Sequence, residues 1–369
     1  FFFHAEEGIR DSSTSRGLGD VYKRQRKWFY WAYGGGSVLV LSLWIQVQLT
    51  VAINTWYGGF YDLLQNAEKY SDDPQSGISL FYEKLISIKY FTQSASVDQS
   101  TSAEPSFLVI AMPYVILATF TGWFTRIYGL RWRESITFDY IPRWRNVEVE
   151  IEGASQRIQE DCNRFARIVE SLGLQAVRAI MTLIAFLPVL WTLSESVDIP
   201  ILRDYEGSLV WTALLVSIGG LIISWFVGIK LPGLEYNNQK VEAAFRKDLV
   251  LGEDDKINYA QPERLWELFL GIRFNYQRLY MHYGYFDVWQ NSYGQFMVIV
   301  PYLIVGPGLF TGAIMLGTVV QVSNAFQRVH GSFDLFLQNW TTITELRSII
   351  KRLSEFEKNL SIHDKAISA

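Results

Sequence analysis

The chain has 369 residues, of which 49% are hydrophobic and 15% aromatic, with a mean hydropathy of +0.09. A formal net charge of −4 lacks the basic balance that nucleic-acid binding calls for, and a single cysteine, Cys162, excludes a disulfide framework and a CxxC metal pair. Several uncharged runs reach the ~20 residues needed to cross a hydrocarbon core of ~30 Å, so the composition is that of a polytopic membrane protein.

Residues 1–25 include "DSSTSRGLGDVYKRQ", which is polar, rich in Gly and Ser, and without the apolar core of a signal peptide. They are read as a non-native or disordered tail outside the fold. Residues 26–357 read as one transmembrane domain and 358–369 as a further tail.

The apolar centre of the first segment, about 37–61, follows a basic cluster at Lys23, Arg24, Arg26 and Lys27. Positive residues stay on the cytoplasmic side, so this span is expected to run outward. Residues 67–104 are polar and read as an external loop, in which "ISLFYEKLISIKYF" forms a short amphipathic helix. The second span, about 106–130, ends at Arg126, Arg131, Arg133, Arg143 and Arg145 and therefore returns inward. The third, about 174–193, leads to the largely acidic "SESVDIPILRDYEG", and the fourth, about 208–229, comes back to Lys230. A charged cytoplasmic stretch precedes the fifth span, about 285–305, which "GPG" is expected to turn on the outside. The sixth, about 309–325, returns to an amphipathic helix containing "ELRSIIKRLSEFEKN". The expected fold is all-α, with six transmembrane helices, long cytoplasmic extensions and both termini inside.

Two acidic segments adjoin the inner ends of spans. On a helix of 100° per residue, Glu152, Gln156, Gln159, Asn163 and Glu170 fall on one stripe, with Glu160 at its edge. After the fourth span, Glu235, Gln239, Glu242, Arg246 and Glu253 repeat the same offsets, and Asp254 and Asp255 extend them unless Gly252 breaks the helix first. A charged stripe is ordinarily a solvated face. Two matched stripes beside membrane spans instead suggest a wet cavity, because polar side chains at membrane depth are costly against lipid. Gln46, Gln48, Asn54, Gln290, Asn291, Gln295, Gln321 and Asn324 within the spans point the same way. Carboxylates that are clustered or partly desolvated bind protons more readily, which suits a path for protons or for a cationic substrate.

The blocks "IEGASQRIQEDCNRFARIVESLG", "LIAFLPVL", "VGIKLPGLEYNNQKVEAAFRKDLVLGEDD" and "NWTTITELRSIIKRLSEFE" resemble the SbmA/BacA peptide transporters of the bacterial inner membrane, and "VAINTWYGGFYDLLQ" and "YGLRWRESI" fit the same pattern. The resemblance extends from Trp28 to Glu357. It implies the transmembrane half of an ABC exporter without a nucleotide-binding domain, working as a homodimer among membrane lipids and importing antimicrobial, proline-rich or modified peptides by proton coupling. It also implies a proton path of cavity glutamates, here Glu160, Glu170, Glu242 and Glu253, with Glu152, Glu235 and Asp254 in second rank. No cofactor, metal or nucleic acid is implied. Relatives of this type carry a further membrane helix before the first span, where this chain has its polar tail, and the loop from Glu68 to Glu104 departs from their pattern.

Two other functions stand beside that one. A transmembrane subunit served by a separate ATPase fits the absence of GxxxxGK[ST], and "ITFDYIPRWRN" would supply its coupling helix. An envelope-lipid factor without a transport cycle is the other. An enzyme is not expected, since no catalytic triad or metal spacing occurs. Cys162 reads as a packing residue, and Arg131 and Arg133 read as residues of topology and packing against rings such as Trp132 and Trp144.

Overall fold

A computed structural model describes residues 17–88, 105–147, 151, 153–197 and 206–367, with side chains described from 28 to 360. Every regular element among them is helical. Hydrocarbon offers no water to the backbone, so a spanning segment must bond its own N–H and C=O groups, as a helix does. In chain order the main helices are α1 (Gly17–Gln65), α2 (Pro74–Ile86), α3 (Phe107–Arg145), α4 (Cys162–Ser194), α5 (Ser208–Gly228), α6 (Leu231–Asp254), α7 (Pro262–Phe310), α8 (Leu316–Gln338) and α9 (Trp340–Ile367).

Five helical stretches among the described residues are long and apolar enough to cross a membrane: Trp28–Gln65, Phe107–Arg145, Ala154–Ser194, Ser208–Asp254 and Pro262–Phe310. The chain is thus an all-α polytopic membrane protein. The segment expected as the sixth span, 309–325, has different limits. Its first residues finish α7, a turn follows, and the helix that starts at Leu316 also carries Gln327, Arg328, His330 and Asp334. The turn does not fall at "GPG" either, because α7 continues through Pro301 and Pro307 to Phe310. The reversal comes at Gly312, whose φ of 72° closes the helix end, while Ala313 and Ile314 donate back to the Gly308 carbonyl at 2.9 and 3.2 Å.

The expected amphipathic helix after the first span is present as α2, with Pro74 at its start and Asp73 accepting from the Ser76 N–H at 3.4 Å. The part of that prediction beyond residue 88 lies outside the described residues. The "ITFDYIPRWRN" stretch is no separate coupling helix, since α3 runs unbroken through it to Arg145.

The chain divides into two compact units. The first comprises residues up to Gln46, Tyr114–Leu174 and those from Leu346 onward. In it the fully buried Gln46 of α1 donates to Thr121 Oγ1 of α3 at 2.7 Å, and Ser42 bonds to the same hydroxyl. A polar side chain inside a span has found another span, as its cost against lipid requires. The apolar core joins Tyr140, Cys162, Ile349, Phe356 and Leu360, which bears out the packing role of Cys162.

Beside that core lies Asp161, only 2% exposed. Arg352 of α9 grips it with two bonds, Nη2 to Oδ1 at 2.7 Å and Nε to Oδ2 at 3.0 Å, and Arg157 adds a third at 3.0 Å. A forked guanidinium on a carboxylate fixes direction as well as distance.

The second unit comprises Val47–Pro113 and Gln175–Glu345. Its core interleaves Phe186 and Leu190 of α4, Leu209 and Ala213 of α5, Val300 and Val305 of α7, and Val322 and Phe326 of α8. α6 packs along α7 and is tied to it where Arg264 Nε meets Asp248 Oδ2 at 2.6 Å. Asp62 and Gln65 of α1 accept the Gly317 and Leu316 N–H groups at 2.8 and 2.7 Å and so cap α8 from another helix.

Arg352→Ala is expected to lower stability by about 3 kcal/mol, the lower end of the cost of stranding a buried charge, because Arg157 remains. The drop is read from the unfolding midpoint in detergent. Adding Asp161→Asn should recover part of it, since no uncompensated charge is then left.

Candidate functional site

The first acidic segment lies wholly in the first unit. Between the short turn Ala154–Gln156 and α4, residues Arg157–Asp161 form a π-helical turn. Such a turn inserts an extra residue and rotates the residues before it by about 100° relative to those after it. The straight stripe drawn through Gln156, Gln159, Asn163 and Glu170 is therefore corrected. Gln156 and Gln159 are exposed, whereas Asn163 and Glu170 are half-buried. Glu152 lies outside the described residues.

Glu160 sits inside the π-turn with its side chain 38% exposed. Its Oε1 pairs with Arg164 at 2.7 Å and its Oε2 accepts from Gln156 at 3.3 Å. Its charge is thus balanced by Arg164, one turn away along its own helix. The adjacent Asp161, which sequence reasoning passed over, is the deeply buried carboxylate. Its bond to Arg157 follows an i, i+4 spacing visible in the sequence. Its stronger partner, Arg352, stands 191 positions away and leaves no local signal.

Glu170 is placed differently. Its carboxylate lies against the backbone of α3 at Gly129, where a Cβ would overlap Oε2 and stand 2.9 Å from Cδ. Among the described residues no cation lies within 4.0 Å, though Arg126 and Arg167 are near enough to act on its charge. Desolvation against the helix disfavours the charged form and the two guanidiniums favour it, a balance that a small rearrangement can tip.

The second segment lies wholly in the second unit, on α6. Gly252 does not end this helix, which runs to Asp254 with Gly252 buried against Ala260. Glu235 and Glu242 are half-buried, whereas Glu253 and Asp254 are exposed. Glu235 acts on Tyr283 of α7 together with Asp287. Glu242 has no cation within 4.0 Å among the described residues. Asp255 starts the short helix Lys256–Tyr259 by accepting from the side chain and backbone of Asn258 at 2.6 and 3.2 Å. Those bonds hold its carboxyl below the usual range, which suits a cap and not a proton carrier.

Arg131 packs on a ring, but that ring is Trp31 of α1, 5.8 Å from the guanidinium, and not Trp132 or Trp144. It also pairs with Glu134 at 3.2 Å. Trp132 instead meets Phe165 edge-on at 5.9 Å, and Trp144 is exposed. The described residues contain no cluster of three or more His, Cys, Asp or Glu placed to hold a metal ion.

The family model described as the SbmA/BacA-like family matches residues 25–97 and 78–361. Among curated proteins, the chain is similar to the inner membrane ABC transporter ATP-binding protein YddA of Escherichia coli, 24% identical over 343 residues, which cover 87% of this chain and 56% of that protein. It is also similar to an uncharacterized ABC transporter ATP-binding protein of Synechocystis, 24% identical across 69% of this chain and 39% of the relative. The chloroplastic ABC transporter D family member 2 of Arabidopsis thaliana is 25% identical across 76% of this chain and 40% of its own length. The chain thus spans about half the length of the curated relatives it matches.

Gly129→Ala should move the Glu170 carboxylate without unfolding the protein. The displaced atoms are the end of a flexible side chain, and alanine inside a helix is worth up to about 1 kcal/mol over glycine. Difference infrared spectra between acid and neutral pH check this. The carboxyl band that Glu170→Gln removes is expected to shift in Gly129→Ala, with an unfolding midpoint no lower than wild type.

Proposed function

Because the chain belongs to the SbmA/BacA-like family of membrane transporters, we propose that it imports peptides across the bacterial inner membrane, driven by protons that its glutamates load and release. Peptides of the antimicrobial, proline-rich or modified kind are the substrates, and the working unit is a homodimer with both termini in the cytoplasm. Six crossings, the sixth on α8, satisfy the distribution of Arg and Lys. The observation that carries the reading is the seating of Glu170. A carboxylate half-withdrawn from water and lying on bare helix backbone is poised to change its proton occupancy when its surroundings change.

Six of the seven acidic residues lie among the described ones and divide by setting. Glu170 and Glu242 are half-buried without a close cation among the described residues and take the central role. Glu160, Glu253, Glu235 and Asp254 are wetter or act beside other groups, and with Glu152 they serve the approach of protons and cationic peptides. A dense set of carboxylates at the ends of the spans raises the local concentration of both.

A second reading is supported by the names of the curated relatives, which are ATP-binding proteins matched over about half their length. In it the chain is the transmembrane part of a transporter that uses an ATPase on another chain.

The test is uptake of a labelled proline-rich peptide into proteoliposomes holding the purified chain, with an imposed pH gradient and no nucleotide. Wild type is expected to concentrate the peptide and to stop when an uncoupler is added. Glu170→Gln and Glu242→Gln should each still bind it but fail to concentrate it, since glutamine keeps the shape and cannot titrate. Uptake indifferent to the uncoupler sinks the proton-coupled reading, and uptake that appears only with ATP and a partner ATPase establishes the second one.

The dimer is tested separately by native mass spectrometry. A two-fold assembly is expected, because a cavity wide enough for a peptide is readily formed between two copies. A monomer that still transports would refute it.

A further inference from the structure

A second group able to bind a proton lies within the second unit, where α5, α7 and α8 meet. The end of the Tyr293 ring occupies the space that a Cβ on Gly220 of α5 would take. Its hydroxyl donates to the Val216 carbonyl at 3.1 Å, with the Ser217 carbonyl at 3.4 Å. One face of Tyr293 stacks on Trp289, whose Nε1 donates to Ser224 at 2.7 Å. His330 of α8 meets the Tyr293 ring edge-on, with centroids 5.1 Å apart, and its Nδ1 stands 3.5 Å from the phenolic oxygen.

The tautomer is assigned from the hydrogen bonds around the phenol. The single phenolic proton is engaged by the α5 carbonyls, so Nδ1 can bond to this oxygen only as a donor. Neutral His330 then carries its hydrogen on Nδ1 and leaves the lone pair on Nε2. Nε2 is not one of the buried polar atoms without a partner, so it is not sealed away among the described residues.

The charges around the ring are few. Burial works against a charge on the imidazole, whereas Asp334, one turn along α8, favours it and also acts on Tyr293. From α7 the ionisable group that faces the imidazole is Tyr293 itself, and α5 contains no ionisable residue. Arg328, two positions away on α8, is exposed.

We infer that His330 is a further proton-binding residue of the transport cycle, with Nδ1 anchored on Tyr293, Nε2 taking the proton and Asp334 supplying the counter-charge. The inference rests on the proton-coupled reading proposed above. Protonation converts the Nδ1–H donor into a charged one, and charge-assisted hydrogen bonds are roughly twice as strong as neutral ones. A bound proton therefore tightens the link between α8 and α7, and through Val216 the link to α5. Release loosens the same junction. Proton occupancy is thereby tied to how firmly three helices are held together.

The experiment has two arms on the purified full chain. In the first, uptake of the labelled proline-rich peptide is measured against pH at a fixed gradient for wild type, His330→Gln and Tyr293→Phe. In the second, nitrogen NMR of histidine-labelled protein in detergent tracks the four imidazoles through a pH titration, with His330 identified as the signal that His330→Gln removes or Tyr293→Phe moves. The expected result is a His330 signal that titrates at Nε2 between about pH 5 and 8, and an inflection in the uptake profile that vanishes in His330→Gln and moves in Tyr293→Phe. A His330 that does not titrate in that range overturns the inference whatever uptake shows. So does a titrating His330 whose loss leaves the uptake profile unchanged; should His330→Gln not fold, Tyr293→Phe must shift both the signal and the profile, or the inference fails. A wild type whose uptake in the first arm is the same when the gradient is collapsed by an uncoupler overturns the underlying reading, and that control needs no variant.

Discussion

A carboxylate withdrawn from water must have a partner or a proton, and this constraint separates the acidic residues here into different kinds. Asp161 meets it with partners: two guanidiniums satisfy both of its oxygens, and the charge is held in a single state. That permanence suits a joint between α9 and the start of α4. Glu160, its neighbour in sequence, stays half in water and is neutralised along its own helix. Glu170 has neither arrangement. It lies on the α3 backbone with cations near but none in contact among the described residues, so no ion pair fixes its charge.

Glycine makes that third arrangement possible. A side chain at residue 129 would fill the volume that the Glu170 carboxylate occupies, and one at residue 220 would fill that of the Tyr293 ring. In both places a titratable or hydrogen-bonding group is seated against a helix backbone, where water is partly excluded and its position is well determined. Close backbone approach thus serves the placement of polar groups as well as the packing of helices.

The π-turn at Arg157–Asp161 has a related consequence. By rotating the helix by about one residue, it turns Asp161 into the core with Ile158 while Glu160 stays toward water. Two adjacent acidic residues thereby acquire opposite environments.

The membrane class, the all-helical architecture and the approximate position of most spans were determined by sequence alone. They depend on long apolar runs and on the need of each backbone group for a partner, and both are local properties. The segment of the second stripe forms one regular helix, α6, as its spacing supposes, because helix periodicity is also a local property. The segment of the first stripe does not, because it contains a π-turn, which carries no periodic signature. The reversal at Gly312 in place of "GPG", the ring beneath Arg131 and the grip of Arg352 on Asp161 were decided by tertiary structure. So was the meeting of Tyr293 with His330. Each joins residues by packing between helices, and the energy that selects such a contact lies in the distance between two elements and not in the sequence of either one.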